Sequence, residues 1–327
     1  MGASFARFSR SLACRLLYYV PPWGTTIGLS GKRGVSETKP QTKTEITELL
    51  KAEGFRPNRR RGQNFLIDGN LMRLVVETAE LTKDDVAFEV GTGTGSLTRM
   101  LAAVAGEVVT VEVDPILQRV GADVLAGLDN VTRIEGDVLE DKHHFSAAVL
   151  DALGAAAARR RRVKLVANLP YSVATPIVMN IVIGNIEFER LVFTVQREVA
   201  ERLTAAPGSD AYGWVSVVMA LAGAGKVLRR LKPSVFWPRP GVESALVAYR
   251  PTPGWKTGLD IMRVRKVGMF VFQQRRKMAV RIMRDYLARE GSPMAPEGVL
   301  LAANIAPTAR GHCLTAQEIR RLSEIVP

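Results

Sequence analysis

What most limits the fold of this chain is a rhythm along its middle. Short apolar runs at residues 86–90, 108–113, 131–135, 163–167 and 191–195 alternate with stretches whose apolar residues fall at helical spacing. A strand buried on both faces needs an almost unbroken apolar run, and parallel neighbours need a crossover, usually a helix. The alternation therefore predicts an α/β fold built on a doubly wound parallel sheet. Two further short strands, around 237–241 and at 245–249, are expected to close it. No internal repeat interrupts the pattern.

The flanks read differently. A helix is expected from Thr44 through Ile46, Leu49 and Leu50 to near Gly54, followed by a basic segment at 56–62 and a second helical pattern at Leu71, Leu74, Val75 and Thr78. Pro251-Thr252-Pro253-Gly254 reads as a linker. Beyond it, Val264, Val267 and Val271, then Ile319, Leu322 and Ile325, mark helices over 260–325. The expected organisation is a basic, disordered extension at 1–43, a sheet domain at 44–250 and a small helical domain at 251–327. The stretch 155–162, Ala-rich and ending in four arginines, reads as the exposed end of a helix or an inserted loop, with its charges in solvent.

No apolar stretch approaches the roughly 20 residues a membrane-spanning helix needs, so the chain reads as soluble with no membrane partner. Cys14 and Cys313 lie at opposite ends, and His143, His144 and His312 make no ligand spacing with them, so no metal is expected and the compartment reads as reducing. No acidic residue precedes Glu37, while Arg7, Arg10, Arg15, Lys32 and Arg33 are spread among small residues. That fits an organelle transit peptide, a basic tail or an overlong start equally well. Ala6 stands where a myristoylation signal wants Ser or Thr. Cytoplasm is the expected location, with a mitochondrion or plastid as the alternative.

The net charge of +13 is placed unevenly: +8 over residues 1–62, −7 over 63–225 and +12 over 226–327. An acidic centre between two basic ends suggests a small-molecule site in the middle and a polyanion held from both sides, nucleic acid above all, with solubility or non-specific attraction to an anionic membrane as the alternative.

The strand ends supply the chemistry. Glu89-Val90-Gly91-Thr92-Gly93-Thr94-Gly95 follows the first run and opens a helix at Ser96. Ser96 stands where a dinucleotide fingerprint wants its third glycine, which disfavours pyrophosphate and favours S-adenosylmethionine. Glu112, ending the next run, is placed for ribose hydroxyls, and Asp137 after the third run can accept from an adenine amine. The fourth run ends in Asn168-Leu169-Pro170-Tyr171. Alone this tetrapeptide reads equally as a strand and turn. At the same sheet edge as the other three sites, it reads as a catalytic centre: the Asn168 side-chain oxygen and the Leu169 or Pro170 carbonyl accept both hydrogens of an adenine amine, and Tyr171 stacks on the flipped base. Phe193 is a second candidate wall, or core.

These residues, together with Arg61-Gly62-Gln63-Asn64-Phe65-Leu66, Gln196-Arg197-Glu198, Tyr212-Gly213, Pro238-Arg239-Pro240 and Phe272-Gln273-Gln274-Arg275-Arg276-Lys277, resemble the small-subunit rRNA adenine N6-dimethyltransferase family over about residues 55–325. The resemblance implies a Rossmann-like S-adenosylmethionine-dependent methyltransferase with a C-terminal helical rRNA-binding domain, monomeric. Its activity would be to dimethylate two adjacent adenosines in the 3′-terminal hairpin of small-subunit (16S) rRNA, on an immature small ribosomal subunit during its biogenesis. It implies Asn64, Leu66, Gly91, Glu112, Asp137 and Asn168 as cofactor ligands. Arg275, Arg276, Lys277 and Arg281, read as one helical stretch, are candidate phosphate contacts. An assembly factor with incidental catalysis, and a DNA adenine methyltransferase using a similar tetrapeptide, remain as competing readings.

Overall fold

The computed structural model describes residues 39–57, 62–160 and 162–327. The N-terminal extension up to residue 38, most of the basic segment including Arg61, and Arg161 lie outside the described residues. Packing divides the rest into two units: residues up to Thr204 with Val218–Leu259, and Ala205–Val217 with Asp260–Pro327.

The strands of the first unit are β1 (Phe65–Leu66), β2 (Asp85–Val90), β3 (Glu107–Glu112), β4 (Val131–Glu135), β5 (Leu139–Asp141), β6 (His144–Phe145), β7 (Arg162–Asn168), β8 (Phe188–Gln196), β9 (Gly223–Leu231), β10 (Phe236–Trp237) and β11 (Ser244–Pro251). Seven of them form one sheet in the order β4-β3-β2-β7-β8-β11-β9. β4, β3, β2, β7 and β8 run parallel, and β11 lies antiparallel to both β8 and β9. All six residues of β2 and of β3 are buried, as the apolar runs require of central parallel strands.

Both faces of the sheet are covered. Alternation along β2 sends Ala87 to one face, among Leu71, Met72, Val75 and Met100 from helices Gly69–Thr78 and Ser96–Val104. Phe88 points to the other, against the rings of Phe145 and Phe188 at 6.0 and 6.2 Å. This is the doubly covered, mostly parallel sheet that the alternation predicts.

The far edge differs from expectation. β9 is a nine-residue strand that the sequence hides, because glycines and cations replace the apolar run. An edge strand needs little apolar surface, which is why the signal is weak. The expected strand near Trp237 does not join the sheet. It pairs instead with β1, Phe65 opposite Trp237 and Leu66 opposite Phe236.

The helix Lys43–Ala52 precedes β1. Thr42 and Glu45 form a reciprocal capping box, with Thr42 N donating to Glu45 Oε2 at 2.6 Å and Glu45 N to Thr42 Oγ1 at 3.3 Å. Such a cap contributes on the order of 1 kcal/mol. Its buried face, Ile46 and Leu50, packs with Phe55, Phe65 and Leu117 and so seats the segment leading into β1 beside the sheet.

In the stretch 155–162 Arg159 is exposed, as expected of a charge run, yet both Arg159 and Arg162 have acidic partners. Arg159 ends the helix Ala147–Arg159 and pairs with Glu107 at 2.5 Å, while Arg162 begins β7 and pairs with Asp85 at 2.7 Å. Pro251 completes β11, and Lys256 donates to the carbonyls of Ile183 and Gly184, so residues 251–259 stay with the sheet.

The second unit holds helices Ile261–Gln273, Ala279–Arg289, Pro296–Ala302 and Ala316–Ile325. Val264, Val267, Val271, Ile282, Ile319 and Leu322 are buried in it, and the rings of Phe270 and Tyr286 meet edge to face at 5.2 Å. Arg275, Arg276 and Lys277 occupy the turn between the first two helices, not one helical stretch with Arg281. Arg275 is spent within the unit, donating to the carbonyls of Ser209 and Asp210 at 3.2 and 3.1 Å. Lys277 pairs with Asp285 at 3.1 Å, leaving Arg276 and Arg281 exposed on the surface. Among the described residues, no helix is long and apolar enough to cross a membrane, and no cluster of three metal-ligating side chains occurs.

Candidate active site

The strand order reverses direction between β2 and β7, and at that crevice the carboxyl ends of β2, β3, β4 and β7 converge. They line a cavity of about 400 Å3 whose wall includes Asn64, Gly91, Glu112, Asp137, Asn168 and Pro170. Gly91 follows β2 with φ +87°, a backbone conformation open chiefly to glycine, and its N–H donates to Val111 O at 2.9 Å. The chain thus turns sharply at the strand end, with no side chain over the cavity.

Glu112 is 7% exposed, and both its oxygens accept backbone hydrogen bonds: Oε2 from Gly93 N at 2.9 Å, Oε1 from Val113 N and Asp114 N at 3.0 Å each. Burial pushes its pKa up, and these backbone donors pull it back. A carboxylate offers about four lone-pair positions, so one remains for a ligand. Asp137 accepts from Leu139 N at 3.0 Å and is exposed at the rim.

Glu89 lies beneath this loop, fully buried, and accepts from Thr98 Oγ1 at 2.6 Å and Thr110 Oγ1 at 2.8 Å. Desolvation raises its pKa to about 8 against those two hydroxyls. Glu89 is not on the cavity wall. It fixes the start of the helix Ser96–Val104 to β3.

Asn168 is held from two sides. Its Nδ2 donates to the carbonyl of Asn64 at 2.7 Å, and its Oδ1 accepts from Thr194 Oγ1 at 2.5 Å. The amide is therefore oriented, with one lone pair of Oδ1 uncommitted. Gly62 makes the Asn64 contact possible. It has φ +66°, and a Cβ there would sit 2.8 Å from Tyr171 N, so only glycine lets the segment before β1 lie against the tetrapeptide. Gln63 Nε2 ties the same segment to Asp114 Oδ2 at 3.1 Å.

A second cavity, about 530 Å3, adjoins the first. Tyr171, Gln196 and Pro238 through Val242 line it, and Gly62, Asn64 and Ser172 border both cavities. The pairing of β1 with β10 sets these walls, since β1 leads from the Asn64 side and β10 leads into Pro238. Tyr171 OH and Ser244 Oγ share a hydrogen bond of 2.5 Å, which fixes the ring, and burial raises the phenol pKa.

Of the sequence candidates, Asn64, Gly91, Glu112, Asp137, Asn168 and Pro170 come together on one wall, with Tyr171 on the next. Two do not reach a cavity by their side chains. Leu66 is 7% exposed and packs into the core with Leu71 and Phe236, and Leu169 is 1% exposed. Phe193 is fully buried between Ala167 and Val247 in the sheet, so it is core and not a wall. The sequence reading missed Thr194 and Ser244, the partners that orient Asn168 and Tyr171. The one available signal for Thr194 was a lone hydroxyl inside an otherwise apolar strand.

A model of the family described as ribosomal RNA adenine dimethylase matches residues 54–320. A protein named ribosomal RNA small subunit methyltransferase A from Acidothermus cellulolyticus is 37% identical over 294 residues, 88% of this chain and 96% of that one. Its namesake from Streptomyces avermitilis is 40% identical over 283 residues, 86% and 92% of the two chains. Among solved structures, a dimethyladenosine transferase from Plasmodium falciparum aligns with a TM-score of 0.65 at 19% identity, covering 79% of this chain and 95% of its own. The 23S rRNA methyltransferase ErmE aligns at 0.59 and 23%, covering 80% and 98%. At these identities the structural likeness bears on the fold alone. The match to the family model and the two bacterial relatives go further, each running through both cavities and into the helical unit: this chain belongs to the ribosomal RNA adenine dimethylase family.

Proposed function

We propose that this protein is an S-adenosylmethionine-dependent rRNA adenine N6-dimethyltransferase, acting on two adjacent adenosines in the 3′-terminal hairpin of small-subunit rRNA during subunit biogenesis. The observation that carries the reading is the meeting of two cavities at an oriented Asn168. The first cavity fits the cofactor by the chemistry of its wall. Gly91 leaves the backbone bare, Glu112 keeps a lone pair for ribose hydroxyls, and Asp137 at the rim suits an adenine amine. Asn64 and Asn168 complete the set, while Leu66 supports it from the core below. When bound, the cofactor supplies an electrophilic methyl group.

The chain's own task is to present a poor nucleophile. The amine lone pair of adenine is delocalised into the ring, so its hydrogens must be held and the base fixed. Asn168 Oδ1 accepts one hydrogen. The Pro170 carbonyl already accepts from Val173 N at 3.2 Å, so the carbonyl of Leu169 is the better second acceptor. Tyr171, fixed by Ser244, stacks on the flipped base in the second cavity. Positioning of this kind, without a strong general base, supplies the rate enhancement.

The helical unit would bind rRNA through Arg276, Arg281 and Arg284, exposed cations of its basic turn and next helix that are in no ion pair among the described residues. A monomer in the cytoplasm fits this reading, and sequencing the mature N terminus tests the location. Asn168→Ala should lower dimethylation by at least about 100-fold, the scale expected when a reacting group loses its orientation, with the thermal melt kept. Primer extension across the 3′ hairpin of small-subunit rRNA measures it, and an undiminished rate would sink the assignment.

A further inference from the structure

The basic C-terminal third of the sequence is not one surface. Of its 19 lysines and arginines, seven fall in Val218–Leu259 and so belong to the sheet unit. They concentrate on β9 and just after it, where Arg229, Arg230 and Lys232 are all exposed. None of these three has a carboxylate within ion-pairing distance among the described residues. Elsewhere in the same unit cations are paired: Arg159 with Glu107, Arg190 with Glu80, Arg197 with Glu243.

An edge strand gains from charge, which blocks pairing with another chain. A single lysine serves that purpose, whereas here three unpaired cations occur within four residues and two are arginine. A bulge at Leu228, where the register between β9 and β11 shifts, precedes the two arginines. Arg229 and Arg230 then border a groove of about 300 Å3, together with Arg197 and Glu201.

The register says where this groove lies relative to the chemistry. Asn168 pairs with Thr194, Thr194 with Leu246, and Leu246 with Arg229. Arg229 therefore stands in the same row of the sheet as Asn168, three strand spacings away. At ~4.8 Å per spacing that is about 14 Å. A stacked nucleic-acid strand advances roughly 3.4 Å per phosphate, so the distance corresponds to about four nucleotides. Leu231, at the end of β9, pairs with Ser244, the partner of Tyr171 OH.

We propose that the end of β9, through Arg229, Arg230 and Lys232, holds backbone phosphates of the rRNA strand that carries the target adenosine, about four nucleotides from the flipped base. This rests on the rRNA dimethyltransferase reading given above. Arginine forks match phosphate oxygens in pairs, which suits a contact that must fix register as well as supply affinity.

The test compares the full-length wild type with the triple variant Arg229→Ala/Arg230→Ala/Lys232→Ala, titrated onto undimethylated small ribosomal subunits from about 50 to 200 mM salt. Calorimetric titration with S-adenosylmethionine checks that the variant's sheet is intact. The expected result is affinity lowered by about 10- to 100-fold at low salt and a slope of log K on log[salt] shallower by about 2, each lost phosphate contact removing roughly 0.7–0.9. The charge-preserving Arg229→Lys/Arg230→Lys variant should keep the wild-type slope. A triple variant that folds, binds cofactor and keeps the wild-type slope overturns the proposal and leaves the cations as edge protection. Failure of the wild type to bind or dimethylate the subunit would instead overturn the rRNA reading itself.

Discussion

The two ends of the central sheet handle polar groups in opposite ways. At the amino ends of β2, β7 and β8, charge meets charge. Asp85 and Lys164, both essentially inaccessible, lie 3.1 Å apart, Arg162 reaches Asp85 at 2.7 Å, and Arg190 reaches Glu80 at 2.7 Å. Backbone carbonyls take up further donors, Lys164 bonding to Glu80 O and Arg190 to Thr78 O. At the carboxyl ends of β2, β3 and β7 the site groups and their support are held by neutral partners instead. Glu89 is held by two threonine hydroxyls, Glu112 by three backbone amides and Asn168 by a threonine and a carbonyl. Groups paired with opposite charges are consumed by the fold. Groups oriented by neutral donors are fixed yet keep lone pairs for a ligand, which is why only this end can serve as a site.

That contrast breaks most visibly at Lys164. Lys164→Met leaves Asp85 buried with Arg162 and Thr82 as its remaining partners, and removing one member of a buried pair costs about 3 kcal/mol. Denaturant unfolding should show this loss, with dimethylation per folded molecule preserved at low temperature. A loss of stability below about 1 kcal/mol would mean that the amino end is not held by its ion pairs.

Glu89 tests the other end. Its folded pKa, about 8, lies above its unfolded value of 4.5, so the native state keeps a proton that the unfolded state has released. The stabilisation is complete below pH 4.5 and is lost as pH rises toward 8. Glu89→Gln removes the titration. Wild type should therefore lose on the order of 2 kcal/mol relative to Glu89→Gln between pH 6 and pH 8, read as a growing gap in melting temperature. A gap independent of pH would show that Glu89 is ionised in the fold.

How much of this was legible in the sequence follows from the same physics. The four buried parallel strands, β2, β3, β7 and β8, announce themselves because a strand covered on both faces must be apolar throughout, whereas β4, at the sheet edge with Thr132, Arg133 and Glu135 exposed, is marked only by its place in the alternation. β9 does not, because at an edge its cations and glycines need no core. Strand ends in order placed Gly91, Glu112, Asp137 and Asn168 on one wall, since a parallel sheet puts every carboxyl end on the same side. Side-chain direction was not legible. Leu66 and Leu169 sit in functional motifs yet face the core, and Arg275, inside the most basic motif, caps carbonyls of its own unit. Partners from distant segments were hidden for the same reason: only the register of β7 with β8 brings Thr194 beside Asn168.

Thr194 gives the finest distinction between holding a group and pairing it. In the proposed mechanism it donates to the oxygen that accepts the adenine amine, and since it lines neither cavity it would orient Asn168 without touching substrate. Thr194→Val keeps the shape and removes the hydroxyl. The Asn168 amide would then rest on its bond to Asn64 alone and could rotate about it, presenting oxygen or nitrogen to the base. We expect kcat to fall by about 10-fold, the equivalent of roughly 1.4 kcal/mol in transition-state positioning. KM for the ribosomal subunit should stay near wild type, because no phosphate contact is lost, and Thr194→Ser should restore most of the rate by returning the donor. Equal losses in the valine and serine variants would show that packing of the methyl group matters and the hydroxyl does not. A fall in subunit affinity with kcat intact would move Thr194 out of the positioning of Asn168 altogether, and the carboxyl end of β8 would then belong to RNA binding alone.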